Sequence, residues 1–204
     1  MNDKTPLVYV VDDDPAFCRY VATLFGTVGL RTASYGSGEQ MLQALDGDGP
    51  GCIVLDVRLP DLSGLQVLER LAARTGCPPV IIVTGHADVP MAVQALKAGA
   101  LDFLQKPVRN QDLLEKVQLA LARDAVSRPE QARKAAVAAR LAALTPREGE
   151  VLAAIVAGQA NKIIAADLGL SMKTVEFHRS RVMRKMEADS LADLVRDVLL
   201  VKGE

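Results

Sequence analysis

Short apolar runs rich in β-branched residues recur through the first half of the chain, and each gives way to a helical pattern. The clear runs are Leu7–Val11, residues 53–55 and residues 80–83; weaker ones lie at 32–35 and 102–105. Runs of this length, bounded by turn formers, read as buried strands. Asp14 has N-cap chemistry and Pro15 suits the first helical position, opening a helix whose Phe17, Val21, Leu24, Phe25 and Val28 share one face. Ser37 caps a second helix carrying Met41, Leu42 and Leu45, and apolar patterns at 65–71, 91–98 and 113–121 supply three more. Five strand–helix units in alternation constrain this part to an α/β fold, a parallel sheet wound with helices on both faces.

In such a sheet the carboxyl ends of the strands share one rim, where open α/β folds bind ligands. The run at 7–11 ends in Asp12-Asp13-Asp14 and the run at 53–55 in Asp56. The run at 80–83 ends in Thr84-Gly85 and the run at 102–105 in Lys106-Pro107. Carboxylates, a hydroxyl and an ammonium therefore converge. Crowded acids hold protons unless a cation joins them, and an oxygen-rich pocket open to water suits magnesium. Asp56 can then attack a phosphoryl group whose charge the cation neutralises. Lys106 supplies a point charge and Thr84 a hydroxyl. Pro107 restricts Lys106 to extended geometry and permits a cis bond. Pro60, Asp61, Ser63 and Gly64 form the turn after Asp56.

The segments VVDDDPAF, IVLDVRLPDLSG, VIIVTGHADV and KAGALDFLQKP resemble the CheY-like receiver domain of two-component response regulators, over about residues 5–123. The resemblance implies a flavodoxin-like, doubly wound five-stranded sheet of order 2-1-3-4-5. It implies that Asp12, Asp13, Asp56 and the main-chain carbonyl of Arg58 hold Mg2+, and that a sensor histidine kinase phosphorylates Asp56. Thr84 and Lys106 would contact the phosphoryl group, and Phe103 matches the aromatic switch position. Arg58 and His86, two residues past Asp56 and Thr84, lie on loops at the same rim and are expected to shape water access to the acyl phosphate.

Beyond residue 123 the character changes. Arg128-Pro129 breaks or kinks the fifth helix, and residues 130–144 are alanine-rich with Arg133, Lys134 and Arg140 exposed. High helix propensity without a wide apolar stripe reads as a semi-rigid helical linker, with a partly disordered tether as the alternative. The expected division is residues 1–123, a linker at 124–140, and a small all-α domain at 141–204. There Thr145-Pro146-Arg147-Glu148 is a capping box and Gly158 a helix stop. Asn161 is expected to cap a short helix at 162–168, and Ser171 the next, at 172–186. A last amphipathic helix covers 190–201, with Leu191, Leu194, Val195, Val198 and Leu199 on one side.

Two helices joined through Gly169-Leu170 are a helix-turn-helix pattern. The second carries Lys173, Arg179, Arg181, Arg184 and Lys185 against one acid, Glu176. At about 15 residues it would span roughly 22 Å, enough to cross a major groove. LTPREGEVLAAIVAGQANKIIAADLGLSMKTVEFHRSRVMRKM resembles the LuxR-type helix-turn-helix, and with the receiver it resembles the NarL/FixJ class of transcription regulators. The resemblance implies base-edge contacts from Glu176, Phe177 and Ser180. Lys173, Thr174, His178 and Arg181 would lie towards phosphates. It implies a sensor histidine kinase, double-stranded DNA, a second copy on activation and RNA polymerase as partners. Glu176 stands where many relatives have lysine. Gly149 interrupts the first helix of this domain, and Ile163 replaces the acid often found after Asn-Lys.

Charge separates the same two parts. Residues 1–125 carry 11 Lys/Arg against 15 Asp/Glu, a net −4, and residues 126–204 carry 13 against 10, a net +3. Acidic and basic modules suit different partners. Cys18, Cys52 and Cys77 are odd in number, contain no Cys-x-x-Cys, and read as small buried side chains. No apolar run approaches the roughly 20 residues of a membrane span, and the first residues lack a leader's apolar region, so a cytoplasmic location away from the membrane is expected. An aspartate-nucleophile phosphatase would need an Asp-x-Asp arrangement at its nucleophile, so a regulator is expected rather than an enzyme. The competing reading is a phosphorylation-independent regulator whose receiver only binds a partner.

Overall fold

Five strands, β1 (Leu7–Val11), β2 (Arg31–Tyr35), β3 (Gly51–Leu55), β4 (Val80–Thr84) and β5 (Asp102–Gln105), form a parallel sheet of order β2-β1-β3-β4-β5. This is the expected order. The computed structural model describes residues 5–45, 49–74 and 76–202. It falls into two compact units, Met1–Pro129 and Glu130–Glu204.

In the first unit, alternate side chains of each central strand serve opposite faces. Val8, Val10, Cys52, Val54, Ile81 and Val83 pack on α1 (Pro15–Gly26) and the start of α5 (Asn110–Ala142). Tyr9, Val11, Ile53, Leu55 and Ile82 pack on α2 (Gly38–Ala44), α3 (Gly64–Ala72) and α4 (Val89–Lys97). Each fully buried aliphatic side chain stabilises the unit by about 1.5–3 kcal/mol. The two weaker runs in the sequence are the edge strands β2 and β5, which are only partly buried. Cys18 and Cys52 are buried and Cys77 half-buried, all as free thiols, and burial pushes Cys52 up to about 12.

The expected caps of the first two helices form, Asp14 accepting from Ala16 N–H and Ser37 from Gln40 N–H; Ser63, read only as a turn residue, makes a capping box with Gln66. Val28 departs from the expected apolar face, because α1 ends at Gly26 and Val28 is left 45% exposed. Asp61 does more than turn the chain. Its two oxygens accept from Gly38 N–H at 3.0 Å and Glu39 N–H at 2.8 Å, capping α2 from the loop after β3. Burial works to raise this carboxyl, but the N–H donors outweigh it and hold it down at about 2.

Of the two alternatives at Arg128-Pro129, a break does not occur. Helix α5 runs from Asn110 to Ala142 with Pro129 inside it. In the first unit Asp124 is buried, accepting from Arg128 Nε and Gly51 N–H, while Arg128 also donates to the Gly76 carbonyl. In the second unit Val137 is 1% exposed in the core, Arg133 pairs with Asp197, and Arg140 with Glu187. Packing, not propensity alone, holds this alanine-rich stretch helical.

The second unit continues with α6 (Pro146–Val156), α7 (Asn161–Leu168), α8 (Met172–Lys185) and α9 (Leu191–Lys202). Val151, Ile164, Val175, Val182, Met186 and Leu194 fill its core. The Thr145–Glu148 capping box forms, and Ser171 caps α8. Asn161 does not cap α7. It is the first helical residue, preceded by Ala160, which offers no side-chain acceptor. Gly169, with φ of 63°, turns the chain between α7 and α8. The stripe on α9 divides: Leu194 and Val198 are buried, whereas Leu191, Val195 and Leu199 line an open apolar depression with Ala192 and Arg196. Among the described residues no helix is long and apolar enough to cross a membrane.

Candidate functional site

Register assembles the rim. Val11 pairs with Leu55, so Asp12 and Asp56 leave β1 and β3 side by side, and Asp56 N–H donates to the Val11 carbonyl at 2.9 Å. Carboxylate oxygens of Asp12, Asp13 and Asp56 all lie within 4.8 Å of one another. Asp12 and Asp56 are 2% and 7% exposed, while Asp13 stands open to solvent at the mouth. From the end of β5, Lys106 reaches both buried acids, donating to Asp12 at 2.5 Å and to Asp56 at 2.8 Å. The Lys106–Pro107 peptide is cis, the isomer the sequence permits. Lys106 N–H donates to the Thr84 carbonyl, and Thr84, 1% exposed, closes β4 between the strands carrying Asp56 and Lys106.

One ammonium shared by two acids leaves the pocket short of positive charge. Burial pushes the Asp12 carboxyl above its usual range, and the Lys106 bond and Asp14 N–H only partly offset this. Burial works to lower Lys106, yet its bonds to Asp12 and Asp56 outweigh it and leave the ammonium above its ordinary value. Buried and open acids together fit a hard, partly hydrated cation such as Mg2+, which takes oxygen ligands and keeps waters.

The loop after β3 is held against the pocket. Arg58 N–H donates to Asp56 Oδ1 at 3.1 Å, and His86 N–H to Thr84 Oγ1 at 3.5 Å, while both side chains are exposed. Gly64 is required by close approach: a Cβ there would meet the Asp56 carbonyl oxygen at 2.1 Å. The sequence marks it only as a turn residue. Phe103 is half-buried on β5, against the core face that α4 covers. Phe17, read as one apolar residue of α1, packs on the core face that α1 covers and also has its ring centroid 4.1 Å from Lys106 Nζ.

On α8, Val175 and Val182 are fully buried, which turns Lys173, Glu176, Phe177, Ser180 and Arg181 to solvent. Arg181 lies over the Phe177 ring at 4.8 Å, and the ring meets His178 edge-on. Thr174 bonds the Ser171 hydroxyl within the cap. His178 is half-buried, and its Nδ1 is buried without a hydrogen-bond partner. Lys185 leaves the basic face: it donates to buried Glu148 at 2.6 Å and to the Ala143 carbonyl.

Residues 8–118 match the response regulator receiver domain, and residues 142–198 match the bacterial regulatory proteins of the luxR family. Nodulation protein W of Bradyrhizobium diazoefficiens is 46% identical over 93% of this chain and 84% of its own length. The transcriptional regulatory protein FixJ of the same organism is 40% identical over 93% and 92%. The solved structure of the response regulator StyR is 36% identical, with a TM-score of 0.76 over 95% of this chain and 98% of that one. The chain belongs to the two-component response regulators of the NarL/FixJ class, transcription regulators that join a receiver to a LuxR-type DNA-binding domain.

Proposed function

We propose that Asp56 of this response regulator accepts a phosphoryl group from a phosphohistidine of a sensor kinase, and that the acyl phosphate promotes a dimer that binds two DNA half-sites. The observation that carries the reading is the meeting of Asp12, Asp13 and Asp56 within 4.8 Å, with the Lys106 ammonium bonded to Asp12 and Asp56. A carboxylate oxygen of Asp56 bonds to phosphorus as the donor's phosphorus–nitrogen bond breaks, and the imidazole leaves with the electron pair. Asp12, Asp13, Asp56 and the Arg58 carbonyl would hold Mg2+, which when bound supplies charge neutralisation at the phosphoryl oxygens. Lys106 and the Thr84 hydroxyl serve the remaining oxygens, and Phe103 reports their shift to the α4–β5 surface.

In the second unit, Glu176, Phe177 and Ser180 read base edges while Lys173, Thr174, His178 and Arg181 engage phosphates. The exposure of most of these residues on one side of α8 supports this division. A single basic helix binds DNA weakly and with strong salt dependence, so specific recognition takes two copies. The open apolar side of α9, with Leu191, Val195 and Leu199, provides a self-complementary contact. Intact mass after incubation with acetyl phosphate and magnesium tests the acceptor. Wild type should gain one phosphoryl unit and Asp56→Asn none; an undiminished adduct in the variant would place the chemistry elsewhere. Chelating the magnesium should abolish the wild-type adduct as well.

A further inference from the structure

The resting pocket holds Lys106 by more than its acids. An ammonium has three N–H donors and no acceptor. Two of the donors are used, on Asp12 at 2.5 Å and on Asp56 at 2.8 Å. A third partner is Phe17, in the first turn of α1, whose ring centroid is 4.1 Å from the same nitrogen. That distance is well inside the range over which an aromatic face attracts a cation. The Lys106 side chain is only 20% exposed, so the attraction acts with little competing water.

We propose that Phe17 is a positioning residue of the phosphoryl-acceptor pocket, its ring face holding the Lys106 ammonium where an incoming phosphoryl oxygen will need it. The inference rests on the acceptor reading of Asp56. When Asp56 becomes an acyl phosphate, Lys106 has to exchange the Asp56 oxygen for a phosphoryl oxygen. A hydrogen-bond acceptor in place of Phe17 would resist that shift, because such bonds weaken steeply with angle. A ring face makes no such demand: the ammonium can slide across it and stay attracted. Phe17 is only half-buried at the edge of the α1 core face, where its ring also packs tilted against Tyr20 at 6.1 Å between centroids, so a fluorine series, which keeps the packing, separates the two contributions.

The test uses the full chain, with phenylalanine 17 replaced by phenylalanines carrying one, two and three ring fluorines, which drain the ring face while nearly keeping its shape. Two readouts are taken. Without magnesium, the ε-methylene protons of Lys106 should show an upfield ring-current shift in NMR spectra that Phe17→Leu abolishes and Phe17→Tyr keeps. With magnesium, affinity for beryllofluoride should fall stepwise with fluorine number, and by about three- to tenfold in Phe17→Leu. Phe17→Tyr should stay near wild type. Beryllofluoride affinity equal to wild type across the fluorine series overturns the role of Phe17 and leaves the acceptor reading intact. Absence of the ring-current shift overturns it too. A wild type that binds no beryllofluoride overturns the acceptor reading, and this proposal with it.

Discussion

Glu148 is 1% exposed in α6, where it closes the capping box on Thr145 and accepts from Lys185 at 2.6 Å. The Lys185 bond first, then the Thr145 N–H, hold its carboxyl at about 2 against an ordinary 4.5. A carboxylate lowered on folding stabilises the fold above its unfolded value, and the contribution is lost as pH falls through the folded one. In full-length protein followed by calorimetry, Glu148→Gln should melt the second unit a few degrees lower at pH 7. The gap to wild type should close between pH 4.5 and about 2; a gap constant across that window would contradict the assignment. Glu176 is proposed to act in recognition instead. An exposed carboxylate among basic residues repels phosphates and gains by accepting from a cytosine amino group. Glu176→Lys should raise nonspecific affinity and relax preference at one base position, a contact worth about 1–3 kcal/mol. Binding-site selection at fixed salt reads it, and identical selected sites would remove Glu176 from recognition. Lys185 shows where residue-level reading stops. In sequence it is one more cation on α8, and its partner Glu148 lies 37 positions away.

Among the elements, β1, β3 and β4 were legible because strands buried on both faces are continuously apolar, and the starts of α1, α2, α6 and α8 because their caps are local. The rim was legible for the same reason: each acid directly follows such a strand. Long-range partners were not. Asp61 caps α2 across 23 positions, and nothing in the turn where it sits announces that. The passage of α5 through Pro129 also runs against the local rule, under which an interior proline costs about 3 kcal/mol. Asp124 and Arg128 on the near side, and Val137 and Arg133 on the far side, are fixed by tertiary contacts that outweigh it. Two glycines make opposite predictions. In α6, a Cβ on Gly149 meets nothing within 4 Å, so Gly149→Ala should raise stability by about 0.5–1 kcal/mol in denaturant titration. Gly64→Ala drives a Cβ into the backbone of Asp56 and should cost about 1–3 kcal/mol while weakening beryllofluoride binding. Gains or losses of the same sign at both positions would contradict this account of the two sites.

For the molecule as a whole, the proposed phosphorylation would act as a ligand does, shifting a population only through a state it favours. The proposed favoured state is the dimer. Sedimentation should find mostly monomer without beryllofluoride and a shift towards dimer with it. Replacing Leu191, Val195 and Leu199 together by serine should weaken dimerisation on DNA, since these side chains form the open apolar side of α9. Unchanged sedimentation under both conditions would favour a receiver that only binds a partner. The most direct test joins both chemistries: affinity for a selected DNA site at one salt concentration, with and without beryllofluoride and magnesium, in wild type and Asp56→Asn. Wild type should bind the site more tightly on activation, and Asp56→Asn should not respond. An equal rise in both proteins, or no rise in wild type, would contradict control of DNA binding through Asp56.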